Sequence, residues 1–188
     1  VSYNSIIKLE TGGITNPTIE TLQKIAKLSK KERQIDTYYT APNRNFFAHK
    51  FPYEYLRIRR SDTGVHINYK LFPEEIGKRT HCKEYETAIV DGTQMAKILE
   101  ALDFKEMIVL DKSRETYVYG EEFEIALDEV KDLGYFVEIE AMENLGSVEE
   151  ARKKLLSFAE KLGLDTSREG ENKGYVYMLM EKKGLTYT

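Results

Sequence analysis

Leu56-Arg57-Ile58-Arg59-Arg60 is the stretch from which the rest of the chain is best read. Aliphatic and basic residues alternate along it. On a β-strand this puts Arg57 and Arg59 on one face and Leu56 and Ile58 on the other. Two guanidiniums side by side repel each other unless something anionic lies between them, and their fork of donors suits phosphate oxygens. Tyr53–Arg60 reads as a strand, and Asp62-Thr63-Gly64 follows as a hairpin signal. On the return strand, Val65–Phe72, polar His66, Asn68 and Lys70 share one face and apolar Ile67, Tyr69 and Leu71 the other. A solvated strand face also alternates, so the arginine pair takes its meaning from the other strands.

Those strands repeat the spacing. Lys112 with Arg114, Glu84 with Glu86, and Glu138 with Glu140 each set two like charges two residues apart, and Asp128 adds a single charge. They fall in strand-like runs over 82–90, 106–119, 122–130 and 134–142, with Ile35–Tyr39 a further β-prone run. Residues 73–80 read as a charged loop. Asp91 with Gln94 and Ser147 with Glu150 have the spacing of capping boxes. The first predicts a helix over 93–102 with a stripe of Met95, Ile98, Leu99 and Leu102. The second predicts a helix to Leu162, striped by Val148, Ala151, Leu155, Phe158, Ala159 and Leu162 and ended by Gly163. Residues 174–180 fit a helix or a strand equally. Two amphipathic helices can cover the apolar side of a sheet. If that sheet curls, its charged faces line a channel. Basic residues there would hold a polyanion, and carboxylates beside it would need a divalent cation between.

Composition narrows the classes. The 188 residues allow one domain, or one with a small appendage. A net charge of −4 gives no global basic footprint for nucleic acid. Cys82 is the single cysteine, which excludes an internal disulfide. With no signal-like apolar run, it points to the cytoplasm. No stretch approaches the roughly 20 apolar residues of a membrane span, so no membrane partner is expected. His49, His66 and His81 have no partners at zinc spacing.

Near the N-terminus, Ser2–Glu10 reads as a short helix ended by Gly12-Gly13. Asn16 then caps a second helix with Pro17 at its first position and Ile19, Leu22, Ile25, Ala26 and Leu28 on one face. Together they resemble the second half of a Cro/repressor-type helix-turn-helix, with Ser2–Glu10 as the recognition helix. That family needs two earlier helices, which this sequence lacks, so the chain as it stands is not expected to hold DNA. The expected division is a partial helix-turn-helix, short and all-α, over 1–30, a polar junction at Lys30-Lys31-Glu32-Arg33, and a second domain over 34–188.

The second domain resembles the CYTH superfamily, the triphosphate tunnel enzymes, which include class IV adenylyl cyclases and thiamine triphosphatases. The matching segments are Asp36-Thr37-Tyr38-Tyr39, Tyr55-Leu56-Arg57-Ile58-Arg59, Asn68-Tyr69-Lys70, Glu84-Tyr85-Glu86, Asp111-Lys112-Ser113-Arg114, Ile125-Ala126-Leu127-Asp128 and Phe136-Val137-Glu138-Ile139-Glu140. The resemblance implies an α+β fold, an antiparallel β-barrel around a charged tunnel with helices packed outside. It implies that Arg57, Arg59, Lys70, Lys112 and Arg114 bind a triphosphate (ATP, thiamine triphosphate or tripolyphosphate). Glu84, Glu86, Asp128, Glu138 and Glu140 would form the acidic side and ligate Mg²⁺ or Mn²⁺. The activity implied is a cyclase or a triphosphate phosphohydrolase. The family opens on a Glu-x-Glu-x-Lys strand that this sequence does not show before Gln34, so the barrel is expected to lack its first strand. The exposed edge would be covered by the N-terminal helices or by a second subunit, as in a homodimer. Two alternatives to an enzyme follow: a nucleotide or polyphosphate binder with impaired turnover, and a ligand-responsive DNA regulator.

Overall fold

Alternating apolar and charged positions make a sheet when each face finds its own environment, and here both faces do. The computed structural model describes residues 6–10, 16–48, 53–72, 82–142, 146–164 and 174–185. In chain order the elements are β1 (Ile6–Glu10), α1 (Asn16–Ile25), β2 (Lys27–Thr40), β3 (Glu54–Ser61), β4 (Gly64–Leu71), β5 (Lys83–Ile89), α2 (Gly92–Ala101), β6 (Lys105–Tyr119), β7 (Phe123–Val130), β8 (Gly134–Ala141), α3 (Val148–Lys161) and α4 (Gly174–Lys182). The strands form one sheet in the order β1-β8-β7-β6-β2-β3-β4-β5. Every pairing is antiparallel. The charged loop expected over 73–80, with His49 and His81, lies outside the described residues.

Register decides what shares a face. Asp36 stands opposite Arg59 on β3 and Leu110 on β6, and Gln34 opposite Lys112. Arg57 faces Asn68, Asn68 faces Glu86, and Lys70 faces Glu84. Arg114 faces Asp128. All the paired charges read from the sequence therefore lie on one side of the sheet. The other side is covered by helices. α3 sets Leu155, Phe158, Ala159 and Leu162 against Tyr117, Phe123, Ile125, Val137 and Ile139, with Leu22 of α1 in the same core. α2 sets Leu99 and Met95 against Ile58, Leu56, Val65 and Ile67.

The sheet rolls toward its charged side. β8 and β5 are six inter-strand steps apart, which in a flat sheet is about 29 Å. Yet Glu140 of β8 helps raise the thiol of Cys82, at the head of β5, alongside burial and Glu84. The expected barrel is nonetheless not closed. All five residues of β1 pair with β8, and among the described residues no ladder joins β1 to β5.

Three further expectations are corrected. Ile6–Glu10, expected within a recognition helix, is a strand whose ladder on β8 overrides its helical pattern. It occupies the sheet position where a strand was expected to be missing; residues 2–5 lie outside the described residues. Not all helices pack outside. α4 takes the segment that fitted helix or strand equally, and sets Tyr175, Val176, Leu179 and Met180 among Tyr38, Ile108, Leu110, Val130 and Phe136 of the charged side. It fills one end of the concave face. Finally, the α2 stripe is half right: Leu99 is buried, but Ile98 and Leu102 are exposed.

Local signals otherwise produce the expected stops and starts. Asp91 caps α2 by accepting from the Thr93 and Gln94 amides. Ser147 and Glu150 form a reciprocal capping box on α3. β2 runs unbroken through the expected junction at Lys30–Arg33. At Gly92 a Cβ would lie 2.7 Å from Cγ1 of Val65. Gly92→Ala is therefore expected to cost about 1–3 kcal/mol by overpacking, read by chemical denaturation; a variant as stable as wild type would show that Val65 yields freely.

Candidate functional site

The concave face carries two buried ionic clusters side by side. In the first, Asp36 of β2 is 1% exposed. It accepts from Nε and Nη2 of Arg59, both at 2.7 Å, and from Nη1 of Arg57 at 2.9 Å. The anion needed between two guanidiniums is thus supplied by the strand next door. Burial by itself would push the Asp36 carboxyl up, but Arg57 and Arg59 outweigh it and hold it well below the usual carboxylate range. The Nε of Arg57 is buried without a hydrogen-bond partner.

The second cluster is built the same way on the other side of β2. Asp128 of β7 is 1% exposed. It accepts from Arg114 Nε at 2.6 Å and Nη2 at 2.5 Å, from Lys112 Nζ at 3.1 Å and from the Tyr175 hydroxyl of α4 at 2.8 Å. Arg114 also donates to Glu138 of β8. Burial and the neighbouring Arg114 push the Lys112 ammonium down to about 7, against the pull of Glu138 and Asp128. The clusters sense one another, since Arg59 further lowers Lys112 and Lys112 helps to lower Asp36.

A third group continues the face toward the β5 edge. Asn68, 1% exposed, donates its amide to Glu84 at 2.5 Å and Glu86 at 3.0 Å, and Lys70 pairs with Glu84 at 3.0 Å. Burial opposes ionisation of Glu84, yet Lys70 and Asn68 leave its carboxyl below the usual range.

The structure therefore places all five expected cations on one face, in two tight pairs with Lys70 beyond. It divides the five expected metal ligands. Glu84 and Glu86 share one amide, Glu138 sits against Arg114, and Glu140 stands opposite Glu124 across the β7–β8 ladder. Asp128 is taken up by Lys112, Arg114 and Tyr175, so its geometry is that of a counter-ion. Among the described residues, no three His, Cys, Asp or Glu side chains converge on a common point. Register puts Ile6, Lys8 and Glu10 of β1 opposite Glu140, Glu138 and Phe136, an Ile-x-Lys-x-Glu order rather than Glu-x-Glu-x-Lys.

The residues most important to this geometry that lacked an assigned role are Asp36, Asn68 and Tyr175. For Asp36 the sequence held a signal, since Glu32, Gln34 and Asp36 are polar at the two-residue spacing of the other charged strands, and the structure buries all three. Tyr175 was not, because nothing local brings it to a carboxylate 47 residues away.

The CYTH domain model matches residues 4–173. The chain belongs to the CYTH domain family. A Methanocaldococcus jannaschii protein assigned as an adenylate cyclase is 34% identical over 149 residues, 78% of this chain and 81% of its own. The PH1819 protein of Pyrococcus horikoshii superposes with a TM-score of 0.79 at 31% identity, covering 96% of this chain and 99% of that one. The Hippeastrum protein HpAC1, described as an adenylyl cyclase with a dominant triphosphatase activity, shares the fold at 17% identity (TM-score 0.63, 87% of this chain and 89% of that one). The CYTH match begins ahead of β1, and no helix among the described residues is long and apolar enough to cross a membrane.

Proposed function

We propose that the concave face binds a triphosphate, and that the chain is a single triphosphate tunnel domain whose first strand and helix come from its N-terminal thirty residues. The observation that carries the reading is the pair of dications, Arg57/Arg59 and Lys112/Arg114, flanking β2, each seated on its own buried aspartate. Burying this much charge rarely improves stability over an apolar core, so its retention favours a ligand. A polyanion lying along β2 would meet both pairs at once. The family relatives described as cyclase and triphosphatase are consistent with this class of substrate.

The carboxylates suit a hard divalent cation arriving with the ligand rather than one held by the protein alone. Mg²⁺ commonly takes one or two carboxylates and fills its remaining positions with phosphate oxygens and water. Glu84 and Glu86, aligned by Asn68, or Glu138 with Glu140, would supply that small share, and the ion would neutralise phosphate charge. The protein's own work is to bind and orient the chain through the basic pairs, leaving either the terminal phosphorus open to water, with phosphate leaving, or the α-phosphorus open to the ribose hydroxyl, with pyrophosphate leaving.

Incubation with ATP, thiamine triphosphate or tripolyphosphate plus Mg²⁺ or Mn²⁺ is expected to release phosphate or cyclic AMP. Absence of both products with pure protein would rule out turnover. The second reading, binding with impaired turnover, is favoured by β1, whose register positions opposite Glu140, Glu138 and Phe136 carry Ile6, Lys8 and Glu10, one carboxylate where the family motif has two. Thermal stabilisation by tripolyphosphate without product would select it. Failure to shift any DNA at low salt, where non-specific binding is strongest, is the expected result for the regulator alternative.

Lys112 predicts the pH dependence. Its folded pKa of about 7 lies below the ordinary 10.5, so the ligand-free protein gains stability as pH rises from 7 toward 10.5. A bound polyanion favours the charged form. Tripolyphosphate affinity should therefore fall as pH rises above 7, with proton uptake on binding near neutrality. Calorimetry in buffers of different ionisation enthalpy reads the uptake. Lys112→Ala should remove it, and an unchanged uptake in that variant would assign the proton elsewhere.

A further inference from the structure

α4 does two things at once. Val176, Leu179 and Met180 join the apolar core at one end of the concave face. Tyr175, one residue into the helix, reaches the ionic cluster. Its hydroxyl donates to Asp128 Oδ2 at 2.8 Å, and Lys112 Nζ lies 5.3 Å over its ring. Its ring is fixed edge-on against Phe136, with centroids 4.8 Å apart.

We infer that Tyr175 is a positioning residue, seating Asp128 and Lys112 so that the Lys-x-Arg pair meets the triphosphate, and thereby tying phosphate binding to the docking of α4. The inference rests on the triphosphate reading above. The geometry supports it from three directions. Asp128 accepts four hydrogen bonds, two from Arg114 and one each from Lys112 and Tyr175, so its two oxygens are held on all sides. Burial, with Glu138 and Asp128 nearby, holds the Tyr175 hydroxyl protonated, so it remains a donor. The arrangement also has a counterpart on the other side of β2, where the Tyr38 hydroxyl accepts from Arg57 beside Asp36. The difference is attachment. Tyr38 is part of the sheet, whereas Tyr175 arrives on a helix that reaches the site only when its apolar face is docked. The charged groups around Lys112 are Arg114, Glu138, Asp128, Arg59 and Asp36. None of them can replace the ring that lies beneath its ammonium.

Tyr175→Phe tests this, because it keeps the ring and its packing on Phe136 and removes one oxygen. Tripolyphosphate affinity is expected to fall about tenfold, the usual scale for one hydrogen bond to a charged group. Lys112→Ala together with Tyr175→Phe should bind no worse than Lys112→Ala alone, since both act through the same group. A reading without ligand comes from NMR: the shift of the Lys112 ε-methylene protons depends on where Lys112 sits relative to the ring at 175, and it should change in Tyr175→Phe as Lys112 leaves its seat. Unchanged affinity with an unchanged methylene shift overturns the inference, as does a full additional loss in the double variant. If the wild type binds no tripolyphosphate, the triphosphate reading fails, and the methylene shift alone then decides whether Tyr175 seats Lys112.

Discussion

Replacing Arg57 and Arg59 together by alanine is expected to abolish thermal stabilisation by tripolyphosphate and to lower the stability of the ligand-free protein by about 3–5 kcal/mol, the usual cost of stripping a buried charge of its partners. Both effects come from one arrangement. In the triphosphate reading the two guanidiniums donate to the ligand, and they are also what allows Asp36 to be ionised while almost fully buried. The pH dependence separates the effects. In the wild type the Asp36 carboxyl is held below its ordinary 3.8, so its contribution to stability is complete above that value and is lost as pH falls through the lower folded value. In the variant burial acts unopposed by Arg57 and Arg59. The folded pKa then rises above the unfolded one, and stability is lost as pH rises through it. The deficit relative to wild type should therefore narrow near pH 4 and widen toward pH 7, read by urea denaturation at both. Retention of the tripolyphosphate effect in the double variant would remove the triphosphate reading; an equal deficit at both pH values would remove the account of Asp36.

Asp128→Asn is expected to be as damaging, for the mirror-image reason. It preserves shape but removes the charge that offsets Lys112 and Arg114, leaving Glu138 as the carboxylate beside Arg114. Loss of about 3–5 kcal/mol is again the scale. The ligand shows the same loss. Lys112 and Arg114 are no longer seated by a carboxylate, so tripolyphosphate should stabilise Asp128→Asn less than it stabilises the wild type. Lys112 sets the sign with pH. The folded state resists a proton that the unfolded state accepts, and loss of Asp128 strengthens the resistance, so the deficit should be larger at pH 6 than at pH 9. A stable Asp128→Asn protein with weakened metal dependence would return Asp128 to the metal-ligand role expected from the sequence.

Stability and function thus meet in the same residues. The basic pairs that would hold phosphate are the partners that make two buried aspartates tolerable. A change on either side of those pairs should be read by both denaturation and ligand binding.

Much of this was legible without coordinates. Period-two alternation assigned Arg57 with Arg59, and Lys112 with Arg114, to one face of their own strand, because side chains of a strand point alternately; the register across β2 then set both pairs on the same side of the sheet. Capping at Asp91 and Ser147 was equally local, since a side-chain oxygen three residues from an amide needs no other element. Three things were decided only by the tertiary fold. Ile6–Glu10 has a helix-like pattern, but five ladder positions on β8 are available to it as a strand, and long-range pairing overrides short-range propensity. The segment from Gly174 has no periodicity that distinguishes helix from strand, and its conformation follows from the apolar end of the concave face that it fills. The family resemblance set Asp128 on the acidic side of the site, and nothing local says what its carboxylate meets. Only the folded arrangement brings Arg114, Lys112 and Tyr175 to its oxygens together.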